Sequence, residues 1–371
     1  MTSRESPDSA TADGRDPARR QPSGPEPSTG QAEAFKLSEL DLEVVNALQI
    51  NPRAPWAAVG RALAVDASTA ARRWARLQSH GAAWVSCQPL FVPDPSMALV
   101  EIITEPGRSL EVAEALAGDP QAMTIDVSAG ARDLLVTVVC DDPDQLSWYL
   151  LERLARVPHV LRVQSHILVN TYTDASKWRL RALSRAQERQ LQSGLPKPSK
   201  DGGAYLPTAA DREMAAALSV DGRTPLSELA QATGTSESTT RRRLNQLIGN
   251  GSLRLRCELA RALTGWSVSE WLFARVPSDR LDEAAATLAT VGEVRAILSA
   301  AGPFNLLIAV WLRTISDGQR LETSIMRKLP HIDVVDRSVV IRPYKLAGRR
   351  LDRRGFSTGT VPLDLHRRPE L

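Results

Sequence analysis

The segment from Asp41 to Cys87 is written a second time from Asp211 to Cys257, 170 residues further on and without a gap. Asp41/Asp211, Leu48/Leu218, Arg53/Arg223, Pro55/Pro225, Ser68/Ser238, Thr69/Thr239, Arg72/Arg242, Arg73/Arg243, Leu77/Leu247, Gly81/Gly251 and Cys87/Cys257 are identical pairs. The match resumes at an offset of 172 with Gly130/Gly302, His159/His331 and Tyr172/Tyr344. Self-similarity of this length means one structural unit used twice. Any fold assigned to the chain therefore has to be assigned to both copies.

Within each unit the hydrophobic period changes. Leu42, Val45 and Leu48, then Trp56, Val59 and Leu63, then Ala70, Trp74 and Leu77 recur at helical steps, predicting three short helices. Downstream, apolar runs of strand length alternate with helical stretches: Met97–Thr104, Leu110–Leu116, Met123–Ser128, Leu134–Cys140, Leu146–Leu154 and Val160–Val169. That order is β-α-β-β-α-β, the ferredoxin-like arrangement, and the second copy repeats it from Val268 to Ile341. The fold class is thus α+β, with two winged helix-turn-helix modules, each followed by a ferredoxin-like domain. The expected boundaries are a disordered tail at 1–35, a first helical module at 36–92, a first ferredoxin-like domain at 93–172 and a basic linker at 173–205. The second module follows at 206–262, the second ferredoxin-like domain at 263–346 and a basic tail at 347–371. The linker is expected to start as a basic helical stretch and to end flexibly around its Ser-Gly-Leu-Pro segment.

At 371 residues the chain exceeds one ordinary hydrophobic core. No run of about 18 uncharged apolar residues appears, which argues against a helical membrane span, and residues 1–35 lack the apolar stretch of a secretion signal. Cys87, Cys140 and Cys257 lie far apart without a C-x-x-C pair, which suits neither a disulfide framework nor a zinc site. A cytoplasmic protein without metal or cofactor is expected. The net charge of +3 decides little, whereas its distribution is informative. Arginines cluster at Arg72, Arg73 and Arg76, at Arg241, Arg242 and Arg243, and again at Arg349, Arg350, Arg353 and Arg354.

The second arginine cluster follows a turn signal. One short helix is expected to end at Thr233-Gly234 and the next to begin after Ser236, with Gly234 in the left-handed region and Ser236 capping the new helix. A turn this short makes two helices cross steeply, as in a helix-turn-helix. With Thr240, Leu244 and Leu247 buried, the opposite face would present Ser238, Thr239, Arg241, Arg242 and Arg243. The first copy offers Ser68, Thr69, Arg72, Arg73 and Arg76, on a helix made less polar by Ala67, Ala71 and Trp74. Hydroxyls and guanidinia near a helix N-terminus suit phosphate oxygens and guanine edges, so double-stranded DNA is the expected partner. The strand-like segment after Gly81 or Gly251 would form each module's wing.

On these residues the chain resembles the Lrp/AsnC family of transcription regulators: Leu40-Asp41 with Leu48, Leu229-Ala230 before Ser236-x-Ser-Thr-x-Arg-Arg-Arg-Leu244, and the β-α-β-β-α-β region. The resemblance covers about residues 37–172 and 206–345. It implies an amino acid or related effector held near a Gly-x-x-Asp loop, here Gly130 with Asp133 and Gly302 with Asn305. Asn305 lacks the charge that would pair with an ammonium group. Members usually carry one such unit and assemble as dimers and larger rings, so two fused units imply an internal pseudo-dimer and further homo-oligomers.

Two other readings remain open at this point. Some proteins resembling this family are siroheme decarboxylases, which would need histidines around a porphyrin. The five histidines, His80, His159, His166, His331 and His366, form no nearby pair in sequence, and no nucleophile-base pattern or phosphate-binding loop is seen. The other is a sensor whose helical modules no longer bind DNA.

Overall fold

The computed structural model describes residues 35–92, 95–174, 178–198 and 207–369. The predicted tail at 1–35, apart from Phe35, and residues 199–205 of the predicted linker lie outside the described residues.

The first helical module consists of α1 (Glu39–Ile50), α2 (Trp56–Leu63) and α3 (Ala67–Ser79), followed by β1 (Ala83–Pro89). A capping box starts α1: Ser38 Oγ accepts from the Asp41 amide, and the Asp41 carboxylate accepts from the Ser38 amide at 2.8 Å. The buried Asp41 carboxylate also receives Arg76 at 2.7 Å, which ties α3 back onto α1. The ferredoxin-like part follows as β2 (Ser96–Thr104), α4 (Ser109–Ala117), β3 (Ala122–Ala129), β4 (Leu134–Cys140), α5 (Pro143–Trp148) and β5 (Val160–Thr173). Leu134–Cys140 agrees residue for residue with the apolar run. The helix expected over Leu146–Leu154 instead begins at Pro143, capped by Asp142, and loosens into wider and tighter turns from Tyr149 to Arg156.

After α6 (Arg185–Gln192), the second copy repeats the plan: α7 (Ala209–Val220), α8 (Leu226–Thr233), α9 (Glu237–Gly249), β6 (Leu253–Leu259), β7 (Val268–Arg275), α10 (Leu281–Leu288), β8 (Val294–Ala301), β9 (Leu306–Leu312), α11 (Ser316–Lys328) and β10 (Asp333–Leu346). Two short strands end it, β11 (Arg349–Leu351) and β12 (Ser357–Thr360).

Each ferredoxin-like sheet has the order β3-β4-β2-β5 or β8-β9-β7-β10, leaving two edges whose backbone groups need partners. The other copy supplies them. β5 pairs antiparallel with β8, Ile167 opposite Ala301, and β10 pairs antiparallel with β3, Val339 opposite Ala129. These two seams close eight strands into a barrel. Leu99, Leu135, Phe273, Leu298, Leu307 and Val340 fill its interior, while α4 and α5 cover one outer face and α10 and α11 the other. Strands buried on both faces account for near-continuous apolar runs such as Leu306–Leu312.

The helical modules are joined in the same way. Instead of two separate wings, β1 and β6 pair antiparallel with each other, Ser86 opposite Arg256 at the centre. Among the described residues neither strand has a strand partner in its own module, so the expected wings become one shared ribbon. Beneath it, Arg53 donates to the carbonyls of Gly222 and Thr224 at 2.7 and 2.9 Å, and Arg223 donates to those of Pro52 and Ala54 at 2.6 and 3.0 Å. This reciprocal clasp fixes one module against the other through charge-assisted bonds.

Two expectations for the connecting segments need correction. Residues 178–198 form a strap on the first module: Asn46 Oδ1 accepts from the Ala182 and Leu183 amides, Gln49 accepts from Leu180, and α6 packs on α1 and α2. Residues 347–369 are a folded strap, with Leu351, Phe356, Leu363 and Leu365 buried. The Leu363 amide donates to Ser219 Oγ of α7, the Ser357 amide to the Gly81 carbonyl, and Gln121 donates to the Leu365 carbonyl at 3.0 Å. Its arginines decorate a segment whose apolar residues anchor it.

The turn between the last two helices differs between modules. Gly234 holds φ +65°, whereas the equivalent Ala64 holds φ +54°. A Cβ is strained there by about 1–2 kcal/mol. Ala64→Gly should therefore raise the unfolding free energy by about 1 kcal/mol, measured by urea denaturation of the full chain. Unchanged or lowered stability would show that Ala64 bears no such strain.

Candidate nucleic-acid interface and ligand cavities

The second module meets the geometric requirements of a DNA-reading helix at most points. Gly234 reverses the chain, and Ser236 Oγ accepts from the Thr239 amide at 3.2 Å to cap α9. Thr240, Leu244 and Leu247 are buried, as the spacing predicts. Ser238, Thr239, Arg241 and Arg242 are exposed together on the first turns. Arg243 departs from expectation: its Nε and Nη2 lie 2.7 and 2.8 Å from the carboxylate of the buried Asp211, making it the brace that holds α9 on α7.

The first module shows the same division with less polar surface. Ser68 and Arg72 are exposed and Thr69 half-buried. Arg73 and Arg76 turn toward Asp41, Arg73 at 3.6 Å and Arg76 at 2.7 Å. These arginines, too, brace the reading helix on the first helix. Asp66, which precedes α3, makes no side-chain cap.

Gly130 and Gly302 occupy matching loops at one end of the barrel, with φ of +121° and +141°. The Asp133 carboxylate accepts from the Thr104 amide at 2.8 Å and the Thr104 hydroxyl at 3.2 Å. In the second copy Asn305 accepts from the Val276 amide at 2.9 Å and donates to the Val276 carbonyl at 2.7 Å. The exchange of Asp for Asn thus accompanies the exchange of Thr104 for Val276: where the strand lacks a hydroxyl donor, the amide supplies one. Both side chains pin the loop to its neighbouring strand.

Beside the Gly130 loop lies a polar cluster that sequence reasoning missed. Arg132, almost fully buried, donates to Glu101 Oε2 at 2.7 Å, pairs with Asp336 and stacks on Phe273, its guanidinium carbon 4.2 Å from the ring centre. His166 Nε2 lies 2.6 Å from Glu101 Oε1. Burial alone would raise the Glu101 carboxyl, but His166 and Arg132 hold it below its ordinary value. Glu101, Ile103, Ala131, Arg132, Gln164 and Phe304 help to line a pocket of about 170 Å³ at this end. The available signal was Glu101 itself, a lone charge inside an apolar strand.

A larger cavity of about 680 Å³ opens between the β1–β6 ribbon and the opposite mouth of the barrel. Trp84 and Gln88 of β1, Arg254 and Arg256 of β6, and Asp126, Thr137, Trp271 and Ala309 of the barrel are among its walls. Asp126 receives Trp271 Nε1 at 3.4 Å. Burial pushes its carboxyl up to about 6, against the opposing pull of Arg261. Among the described residues no group of three metal-ligating side chains comes together, no helix is long and apolar enough to cross a membrane, and the three cysteines are buried and free.

Two helix-turn-helix heads on a closed α/β barrel define a two-headed DNA-binding protein of ligand-sensing architecture. Comparison with known proteins agrees at the level of domains. The AsnC-type helix-turn-helix domain matches residues 37–78 and 208–248, and the Lrp/AsnC ligand binding domain matches residues 97–178. The chain thus carries two AsnC-type helix-turn-helix domains and an Lrp/AsnC ligand binding domain, and the two helix-turn-helix matches fit a tandem duplication. An uncharacterised HTH-type transcriptional regulator of Pyrococcus horikoshii is 26% identical over 148 residues, 38% of this chain and 90% of that protein. The HTH-type transcriptional regulator FL11 of Pyrococcus abyssi is 21% identical over 136 residues, 36% of this chain and 89% of its own length. The crystal structure of the siroheme decarboxylase NirDL superposes with a TM-score of 0.54 over 86% of this chain and 95% of that one, at 13% identity, a likeness of fold.

Because the Asp126 carboxyl is raised in the folded state, the native protein binds more protons than the unfolded chain between the ordinary carboxylate range and about pH 6. Its contribution to stability therefore falls as pH rises through that window. Asp126→Asn should raise stability at pH 7, on the order of 2 kcal/mol, and flatten the stability profile between pH 4 and 6. Denaturation midpoints across that range test this, and a variant less stable at pH 7 would refute it.

Proposed function

We propose that the chain is a sequence-specific DNA-binding transcription regulator that acts in the cytoplasm as a non-enzymatic, effector-responsive protein. The observation that carries this reading is the N-terminal face of α9. Ser238, Thr239, Arg241 and Arg242 are exposed on a capped helix whose other face is buried. That surface offers hydroxyls and guanidinia to the major groove, where Arg reads guanine and all four groups contact phosphate. Ser68, Thr69 and Arg72 offer a smaller counterpart on α3. The clasp and the ribbon hold the two faces at a set separation, which suits two half-sites on one duplex.

The effector reading is a second part of the proposal. A pocket of about 170 Å³ beside the Gly130 loop matches an amino acid or a molecule of similar size. Glu101, Arg132 and Arg162 supply its charges, since Asp133 is occupied in pinning the loop. The internal barrel already provides the pairing for which single-unit members need two chains. Association of several such chains into a homo-oligomer is the further level we propose on the strength of the family.

The fold shared with NirDL raises the decarboxylase reading. NirDL has also been solved in complex with an iron-uroporphyrin III analogue. None of the five histidines lines the large cavity here. His166 is held by Glu101 at the opposite end, and His159 and His366 pair with Glu105 and Asp141. We therefore favour regulation over catalysis.

Replacing Arg241 and Arg242 together by Ala should weaken binding to the operator by about 10- to 100-fold and reduce the salt slope of log K by about 2. Fluorescence anisotropy from 50 to 200 mM salt reads both quantities. Affinity and slope equal to those of the unaltered protein would remove α9 as the reading helix. Arg243→Ala serves as contrast, expected to lower the stability of the module because it strips the buried Asp211 of its partner.

A further inference from the structure

We propose that the cavity between the head-linking ribbon and the barrel mouth is a binding site for an anionic, largely aromatic small molecule whose acid group is received by Arg295. The site is distinct from the pocket at the Gly130 loop and lies at the other end of the barrel.

Arg295 stands on β8, 3% exposed, and lines the cavity. Among the described residues its Nε, Nη1 and Nη2 have no hydrogen-bond partner. Aromatic faces pack around it: its guanidinium carbon is 4.0 Å from the Trp178 ring centre and 4.3 Å from that of Trp311, with Trp266 at 5.8 Å. A buried guanidinium without acceptors is costly, and charge–aromatic contacts recover only part of that cost. Burial lowers its pKa to about 9, so it remains a cation at neutral pH. Arg254 pairs with Asp174, Arg256 with Glu258, and Arg261 faces Asp126, whereas Glu258 and Glu293 act on Arg295 through space without a hydrogen bond to it.

The fold itself does not call for a cation here. The equivalent position of the first repeat is Met123, packed among Val139, Ala347, Leu363 and Leu365. A position that the architecture fills with methionine in the first repeat is taken in the second by a buried arginine at the cavity wall.

Shape and lining name the ligand class. About 680 Å³ falls within the range of sites for drug-sized molecules and is about four times the loop pocket, too large for a single amino acid. Trp84, Phe91, Trp271, Trp311, Met97 and Met123 line it with flat and soft apolar surface. An aromatic carboxylate, sulfonate or phosphate would lay its rings on these walls and give Arg295 the acceptors it lacks. Because the roof is the ribbon that joins the two heads, an occupant touches the element that spaces them. That consequence rests on the DNA-binding reading, whereas the binding measurement below is made without DNA.

The probe is 8-anilinonaphthalene-1-sulfonate, titrated against the full chain by fluorescence and calorimetry, with the uncharged N-phenyl-1-naphthylamine as companion. One sulfonate probe per chain is expected, with quenching of tryptophan emission. Arg295→Met, which installs the residue of the first repeat, should lower sulfonate affinity at least tenfold, corresponding to about 1.4 kcal/mol, while changing affinity for the neutral probe less than twofold. Arg132→Gln, in the other pocket, should change neither. Ala309→Trp fills the cavity while leaving Arg295 in the sequence and should abolish both probes, which keeps the test decisive if Arg295→Met fails to fold. Equal sulfonate affinity in Arg295→Met, sensitivity to Arg132→Gln, or full binding by Ala309→Trp would each overturn the proposal.

Discussion

A four-stranded ferredoxin-like sheet has two open edges, and the whole molecule is organised by how those edges are closed. Backbone donors and acceptors on β3, β5, β8 and β10 need partners, and each finds them in the other repeat. The ribbon of β1 and β6 obeys the same constraint one level up. As a result the repeats are not independent domains on a tether. The barrel exists only when both are present, and so does the large cavity, whose floor is the barrel and whose roof is the ribbon. The Arg53 and Arg223 clasp adds side-chain bonds to carbonyls across the same pseudo-twofold axis, which passes through the Ser86–Arg256 pair at the ribbon's centre.

Joining both halves in one chain removes a restriction that a homodimer cannot escape. Two identical subunits must present identical sites, whereas fused repeats can diverge position by position. Glu101 and Arg132 of the first repeat correspond to Phe273 and Phe304 of the second, and Arg132 stacks on Phe273. His166 corresponds to Ser338, and Met123 to Arg295. The barrel consequently carries a polar cluster at one end and an unmatched cation at the other. Asp133 and Asn305 show that not every difference is functional, since each is explained by the residue facing it on the neighbouring strand.

The helical and strand elements were legible because their apolar residues repeat at 3.6 or run continuously, and the buried face of α9 followed from that spacing alone. What escaped were pairings between residues distant in sequence. Arg73, Arg76 and Arg243 look like DNA ligands on a helical wheel, yet they answer to Asp41 and Asp211, whose identity across the repeats was itself the clue. The C-terminal segment read as basic because its arginines are conspicuous, although Leu351, Phe356, Leu363 and Leu365 decide its fate. Charged residues inside strand runs, Glu101 and Arg295 above all, were visible in the sequence. Only the closure of the barrel shows that they face an interior.

The same reasoning bears on how unequal the two heads are. Both use an acidic cap residue to brace the reading helix, and both leave a hydroxyl and arginine face outward, so their scaffolds are equivalent. Their surfaces are not. α9 carries Ser238, Thr239, Arg241 and Arg242 where α3 carries Ser68, Thr69, Ala71 and Arg72, one guanidinium fewer on a helix without a side-chain cap. On the DNA-binding reading proposed above, the clasp and ribbon keep the heads from moving apart freely, so the less polar head would be delivered to DNA by the other at a fixed offset. On that reading its contribution would come mainly from the geometry of the fusion, which tolerates a poorer contact surface and would favour operators whose two halves are unlike.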